Sequence, residues 1–228
     1  FGDNFGNFCQ EPILVDHRIE WRPAASQSLD TDILTTPKTP FSTNGGVKLL
    51  EGNLGRCVIK TSAVDASHHV VEAPAVVIDD QDDLRPLFDA GELDRDCVVV
   101  VRFQGPAANG MPELHKLTPM LGVLQDRGFK VALVTDGRMS GASGKVPAAI
   151  HLVPEASHGG LLAQLQTGDV IRLDATTGVL SALVDATDLE HRAVSVAPAA
   201  RGTVGRILFN TSRRAVSSAE EGASSLFN

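Results

Sequence analysis

No apolar run in these 228 residues approaches the roughly 18 that a helix needs to cross a bilayer. The longest is Cys97 to Val101. The N-terminus has no basic stretch followed by an apolar one, so no secretory signal is visible, and the expected compartment is the cytoplasm. Cysteine is scarce. Cys9, Cys57 and Cys97 are odd in number and widely spaced, and no CxxC pair exists. That argues against a zinc knuckle or a disulfide framework and for free thiols in a reducing compartment. The seven histidines show no metal-ligand spacing such as HExxH. Basic residues are outnumbered 20 to 28, and the net charge of −8 argues against a nucleic-acid or anionic-membrane partner. A small anion held by a local cationic cluster remains compatible with that charge.

What is present reads as a soluble globular chain with 43% hydrophobic residues, long enough for one large domain or two small ones. Residues 1–46 read as an extended, irregular arm, because Asn, Thr, Ser and Pro are frequent and Thr35-Thr36-Pro37-Lys38-Thr39-Pro40 cannot continue a helix. Residues 47–228 read as one α/β domain. Strands are expected at Arg56–Val64, Glu72–Ile78, Lys130–Thr135 and Ala148–Val153, with a hairpin of Asp169–Asp174 and Val179–Val184 around Thr177-Gly178. Asp79 to Asp96 carries eight acidic residues and two arginines. Leu84, Leu87 and Phe88 supply one apolar face, which predicts an amphipathic helix ended by Gly91. The run Cys97-Val98-Val99-Val100-Val101 predicts a strand buried on both faces. A helix should follow, with Pro112 in its first turn and Met111, Leu114, Leu117, Leu121 and Leu124 at helical spacing. A last short helix is expected near Ser217 to Phe227. Strands outnumber helices, which fits a mixed β-barrel or sheet with flanking helices.

Two Gly-rich loops each follow a buried strand, where α/β proteins collect ligands and catalytic groups. After the first loop, Gln104–Gly110, Glu113 at the start of the expected helix reads either as a carboxylate favoured by a helix N-terminus or as a hard oxygen ligand for Mg²⁺. In Asp136–Lys145, Ser140 reads either as a turn serine or as a nucleophile or base. The surrounding Arg138-Met139-Ser140-Gly141-Ala142 is no GxSxG elbow. Gly141 to Lys145 fails as a P-loop, since Met139 stands where the first Gly belongs and Val146 where Ser or Thr is needed.

Three long motifs carry a family resemblance: Gly45–Gly55, Val99–Pro119 (with PELHKLTP) and Val131–His151 (with GRMSGASGKVPAAIH). The chain resembles the dihydroxy-acid/6-phosphogluconate dehydratase family over nearly its whole length, and the 6-phosphogluconate branch in particular. The resemblance implies a C-terminal swivelling domain, a mixed β-barrel with flanking helices that closes over an active site. It implies that a separate N-terminal domain carries an iron–sulfur cluster, 4Fe-4S in type, and further metal ligands. No cysteine of this chain matches the cluster motifs. The implied reaction is a hydro-lyase step that dehydrates 6-phospho-D-gluconate to 2-dehydro-3-deoxy-6-phospho-D-gluconate, with Glu113 on Mg²⁺ (or Mn²⁺) and Ser140 as the base. Arg138, Lys145 and Lys116 are the candidates for the substrate phosphate, because they sit in or beside the two loops. A homodimer, no nucleic-acid partner and no membrane partner are expected. Because the first residue is Phe, the chain is read as a fragment, and it is expected to be inactive alone because a cluster-dependent reaction cannot proceed without the cluster domain. The alternatives are a dehydratase of an unphosphorylated sugar acid or dihydroxy acid, or a non-catalytic binding domain.

Overall fold

The computed structural model describes residues 9–25, 27–140, 144–199 and 202–226, in two compact units, Phe1–Gly45 and Gly46–Asn228. In the first unit, β1 (Gln10–Val15) and β2 (Arg18–Pro23) pair antiparallel, from Gln10↔Pro23 to Val15↔Arg18. This corrects the expectation of a wholly irregular arm. The turn residues Asp16 and His17 both take positive φ, 45° and 63°. Two-residue hairpin turns demand that conformation, and Asp and His tolerate it better than most side chains. Arg22 also pairs with Glu11 at 2.6 Å across the strands. The polar residues around the hairpin masked two strands of ordinary length. The described residues from Ala24 to Gly45 form turns, as the Thr-Pro run requires.

The second unit is a closed eight-stranded barrel in the order β10-β3-β4-β8-β7-β6-β5-β9. Its strands are β3 (Val47–Gly52), β4 (Gly55–Lys60), β5 (Val70–Ile78), β6 (Cys97–Val101), β7 (Val131–Thr135), β8 (Ala148–Val153), β9 (Val170–Asp174) and β10 (Val179–Ala182). β5, β6, β7 and β8 run parallel to one another, β10 meets β3 in parallel, and the remaining pairs are antiparallel. The expected mixed barrel is therefore what forms.

Every residue of β6 and β7 is buried, because these strands have two apolar sides. Val98, Val100, Ala132 and Val134 point into the barrel, with Leu50, Ile59, Leu152 and Leu173. Cys97, Val99, Val101, Val131 and Leu133 face outward onto Leu114, Leu117, Leu121 and Leu124. Full burial of a Val side chain contributes about 1.5–3 kcal/mol relative to exposure, so the continuous valine run follows from this double packing.

The helices flank the barrel. α1 (Leu84–Asp89) buries Leu84, and Leu87 and Phe88 pack on the outer cluster, with Gly91 beyond its end at φ 73°. After β6 comes one turn, α2 (Pro106–Asn109), then α3 (Thr118–Asp126). The helix expected from Met111 thus starts later. Gly110 and Met111 take positive φ, 71° and 52°, which breaks helical continuity, and Pro119 fills the first-turn place assigned to Pro112. α4 (Ala186–His191) follows β10. The helix expected at Ser217–Phe227 is absent from its described residues. Ser217 N donates to Ser224 O at 2.9 Å and Gly222 and Ala223 have positive φ, so the segment folds into turns. Serine side chains there bind backbone groups and compete with helix formation. The chain is helical earlier, in α5 (Val204–Leu208) and α6 (Asn210–Arg214).

Candidate active site

β6 and β7 are neighbours in parallel register, Cys97↔Val131 to Val101↔Thr135, so the loops that leave their carboxyl ends emerge side by side. The first reaches Glu113 and the second Arg138, and the two residues form an isolated parallel bridge. Leu114 N donates to Arg138 O at 3.3 Å. Close approach needs Gly137, where a Cβ would lie 2.6 Å from Gln104 Cβ.

The Glu113 carboxylate is the meeting point. Its Oε1 accepts from Ser140 N at 2.8 Å and from His115 N at 3.1 Å, and its Oε2 accepts from Arg138 Nη1 at 2.9 Å. Arg138 Nε donates to Met111 O at 2.8 Å, so the guanidinium ties the two loops together. Three of the five site residues expected from the sequence, Glu113, Ser140 and Arg138, therefore converge. The structure places the other two elsewhere. Lys145 Nζ lies 2.5 Å from Asp126 on α3, and Lys116 Nζ lies 3.9 Å from Asp82. Residues 141–143 of the Ser140 loop lie outside the described residues.

Beneath the loops is a layer of buried polar groups that the sequence reading did not single out. Asp136, fully buried, accepts from Gln104 N at 2.8 Å and Ala156 N at 3.0 Å. One carboxylate thus fixes the loops after β6, β7 and β8. Burial, reinforced by the charge of Glu155, pushes its pKa up to about 6 against the pull of those N–H donors. Buried Glu155 caps α2, accepting from Ala107 N and Ala108 N at 3.2 and 3.4 Å. Arg102, at the end of β6, binds both oxygens of Asp79 and donates to Ala163 O, Leu165 O and Ser195 Oγ. The available signal was positional, since Arg102 and Asp136 are the charged residues that directly follow the buried strand and the β7 strand. His151 sits in β8 at φ 60°, beside the register shift between Arg56 and Val58, and its N donates to Gly137 O at 2.8 Å. Burial and the nearby Arg138 lower its pKa, so the ring is neutral at pH 7.

As a metal ligand, Glu113 has the right chemistry, a hard carboxylate oxygen. Among the described residues no group of three or more His, Cys, Asp or Glu could hold an ion. The Glu113 carboxylate, which already accepts from Ser140 N, His115 N and Arg138 Nη1, keeps lone pairs that could face an ion. The two buried cysteines do not fit an iron–sulfur cluster. Cys57 lies inside the barrel and Cys97 on its outer wall, with burial pushing their thiols up to about 12 and about 11. Both stay protonated, whereas a cluster takes thiolates. Cys9, in the first unit, is exposed.

Residues 32–223 match the family model described as dihydroxy-acid/6-phosphogluconate dehydratase C-terminal, and the chain belongs to that family. It is 60% identical over 98% of its length to a phosphogluconate dehydratase of Pseudomonas aeruginosa and 55% identical over 97% to one of Escherichia coli K12. A dihydroxy-acid dehydratase of Wolinella succinogenes is 37% identical over 89% of the chain. The chain spans about 37% of the length of the two phosphogluconate dehydratases.

Proposed function

We propose that this chain is the C-terminal part of a hydro-lyase that converts 6-phospho-D-gluconate to 2-dehydro-3-deoxy-6-phospho-D-gluconate and water. The observation that carries the reading is the Ser140 N to Glu113 Oε1 bond of 2.8 Å, which brings a serine and a hard oxygen ligand to one point on the barrel rim. The names of the closely similar proteins support the substrate.

The reaction breaks the C2–H bond and the C3–O bond. Ser140 Oγ takes the C2 proton, the C–H electron pair becomes the C2=C3 double bond, and the C3 hydroxyl departs and is protonated to water. The resulting enol tautomerises to the 2-keto acid. A serine hydroxyl is a weak base, so its environment must favour the alkoxide. Mg²⁺ (or Mn²⁺) held in part by Glu113 would supply positive charge beside the serine and the substrate carboxylate. Glu113 fixes the backbone of Ser140 by accepting its N–H, and Arg138 bridges Glu113 and the Met111 carbonyl by donating to both. A cluster-bearing region and the remaining metal ligands belong to the rest of a longer protein, expected to act as a cytoplasmic homodimer, with this domain closing over the site.

The test is Ser140→Ala in the intact protein, assayed for 2-keto acid formation. General-base catalysis contributes about 10²–10⁴-fold, so turnover should fall by that much while the fold and metal content stay unchanged. Turnover near wild type would remove Ser140 from the role of base.

A further inference from the structure

We infer that the outer wall of the barrel carries an anion-binding groove beside Ser140, in which Lys60 receives an anionic group of the substrate; this rests on the dehydratase reading above. The strand pattern sets the geometry. Cys57 and Ile59 of β4 point into the barrel, so the alternate residues Val58 and Lys60 face outward. Val47 pairs with Lys60 across β3 and β4, and Ile150 pairs with Val58 across β4 and β8. Residues opposite one another in an antiparallel pair share a face. The result is an apolar strip, Val47, Val58, Ala148 and Ile150, with Lys60 at its border. Met139, Ser140, Gly144 and Val146 border the same strip, and together these residues line a cavity of about 190 Å³.

Among the described residues lining the cavity, Lys60 alone is cationic. The cations that sequence reasoning offered for the substrate, Lys145, Lys116 and Arg138, do not line it. A chain of net charge −8 needs a local cation to hold an anion. The phosphorylated acid carries two anionic groups, the carboxylate beside C2 and the phosphate at the far end, and the same ammonium chemistry suits either.

The experiment compares wild type, Lys60→Gln, Lys60→Met and Lys60→Arg in the intact protein, with folding checked by circular dichroism. Steady-state kinetics are run on 6-phosphogluconate and on gluconate, and inorganic phosphate binding is titrated by calorimetry. Loss of a charged hydrogen bond should raise KM for the phosphorylated acid by about tenfold or more in both neutral variants, with a smaller change in kcat and with Arg retaining much of the affinity. A KM increase confined to 6-phosphogluconate identifies the phosphate as the bound group, and an equal increase for both acids identifies the carboxylate. Unchanged KM and unchanged phosphate binding in a folded neutral variant overturn the inference. If wild type turns over neither acid, the dehydratase reading fails separately. The phosphate titration then decides the groove: weaker binding in Lys60→Gln keeps it, and equal binding removes it.

Discussion

Asp136→Asn puts the buried carboxylate to a quantitative test. Two effects oppose each other there. Burial at 0% exposure penalises the charge, and the N–H groups of Gln104 and Ala156 favour it. Burial wins, raising the pKa from 3.8 to about 6. At about 1.4 kcal/mol per tenfold change, ionising Asp136 costs about 3 kcal/mol more in the fold than in the unfolded chain. The sign follows from a folded pKa above the unfolded one: the folded state holds the proton more tightly. The stability from this group is fully present below about pH 4 and is lost as pH rises through about 6. Asparagine cannot titrate, and any constant offset it brings is the same at every pH. The stability of wild type minus that of Asp136→Asn should therefore fall by about 3 kcal/mol between pH 3 and pH 7 and then level off. Denaturant midpoints of the two intact proteins, measured across that range, read the difference directly. A difference that stays constant, or that grows with pH, would show that the two N–H donors outweigh burial and that the reasoning is wrong.

The sequence reached some of this architecture and not the rest for identifiable reasons. The valine run of β6 announced a strand buried on both sides, because only that environment accepts apolar residues at every position. Leu114, Leu117, Leu121 and Leu124 were legible as a buried set. The start of their helix was not, because it depends on Gly110 and Met111 taking positive φ. Closure of the barrel rests on Val179↔Glu51 and on Glu51 N donating to Gly178 O at 2.9 Å, contacts between segments far apart in the chain that no local pattern encodes. At the site, Glu113 and Ser140 were singled out by their loops and family motifs. Their direct bond depends on the parallel pairing of β6 with β7. Lys60 was invisible for the same reason: it ends an unremarkable strand, and only the β4–β8 pairing brings it to the Ser140 loop. The two lysines beside the loops illustrate a different point. Sequence places Lys145 and Lys116 next to the loops, but no local pattern encodes the pairing of Lys145 with Asp126 or the 3.9 Å approach of Lys116 to Asp82.

The geometry of the two loops gives two further tests. Glu113→Gln keeps the shape of the side chain and removes its charge, so on the proposed reading the Mg²⁺ concentration for half-maximal turnover should rise at least about tenfold; an unchanged metal titration would remove Glu113 from the ligand set. Gly137→Ala tests whether loop proximity itself matters. The new methyl would lie 2.6 Å from Gln104 Cβ and 3.1 Å from Leu114 Cδ1. Neither can retreat easily, since Leu114 is packed in the outer cluster and Gln104 is held by bonds to Asp79 O, Arg102 O and Asn109. Overpacking of this kind costs about 1–3 kcal/mol, which a denaturant midpoint detects. The same displacement separates Glu113 from Ser140, so turnover should fall further than the lost stability accounts for when measured well below the melting temperature. A Gly137→Ala protein that is destabilised yet turns over at the wild-type rate would mean that the approach of the loops serves packing alone, and that the 2.8 Å contact between Ser140 and Glu113 does not set the reacting geometry.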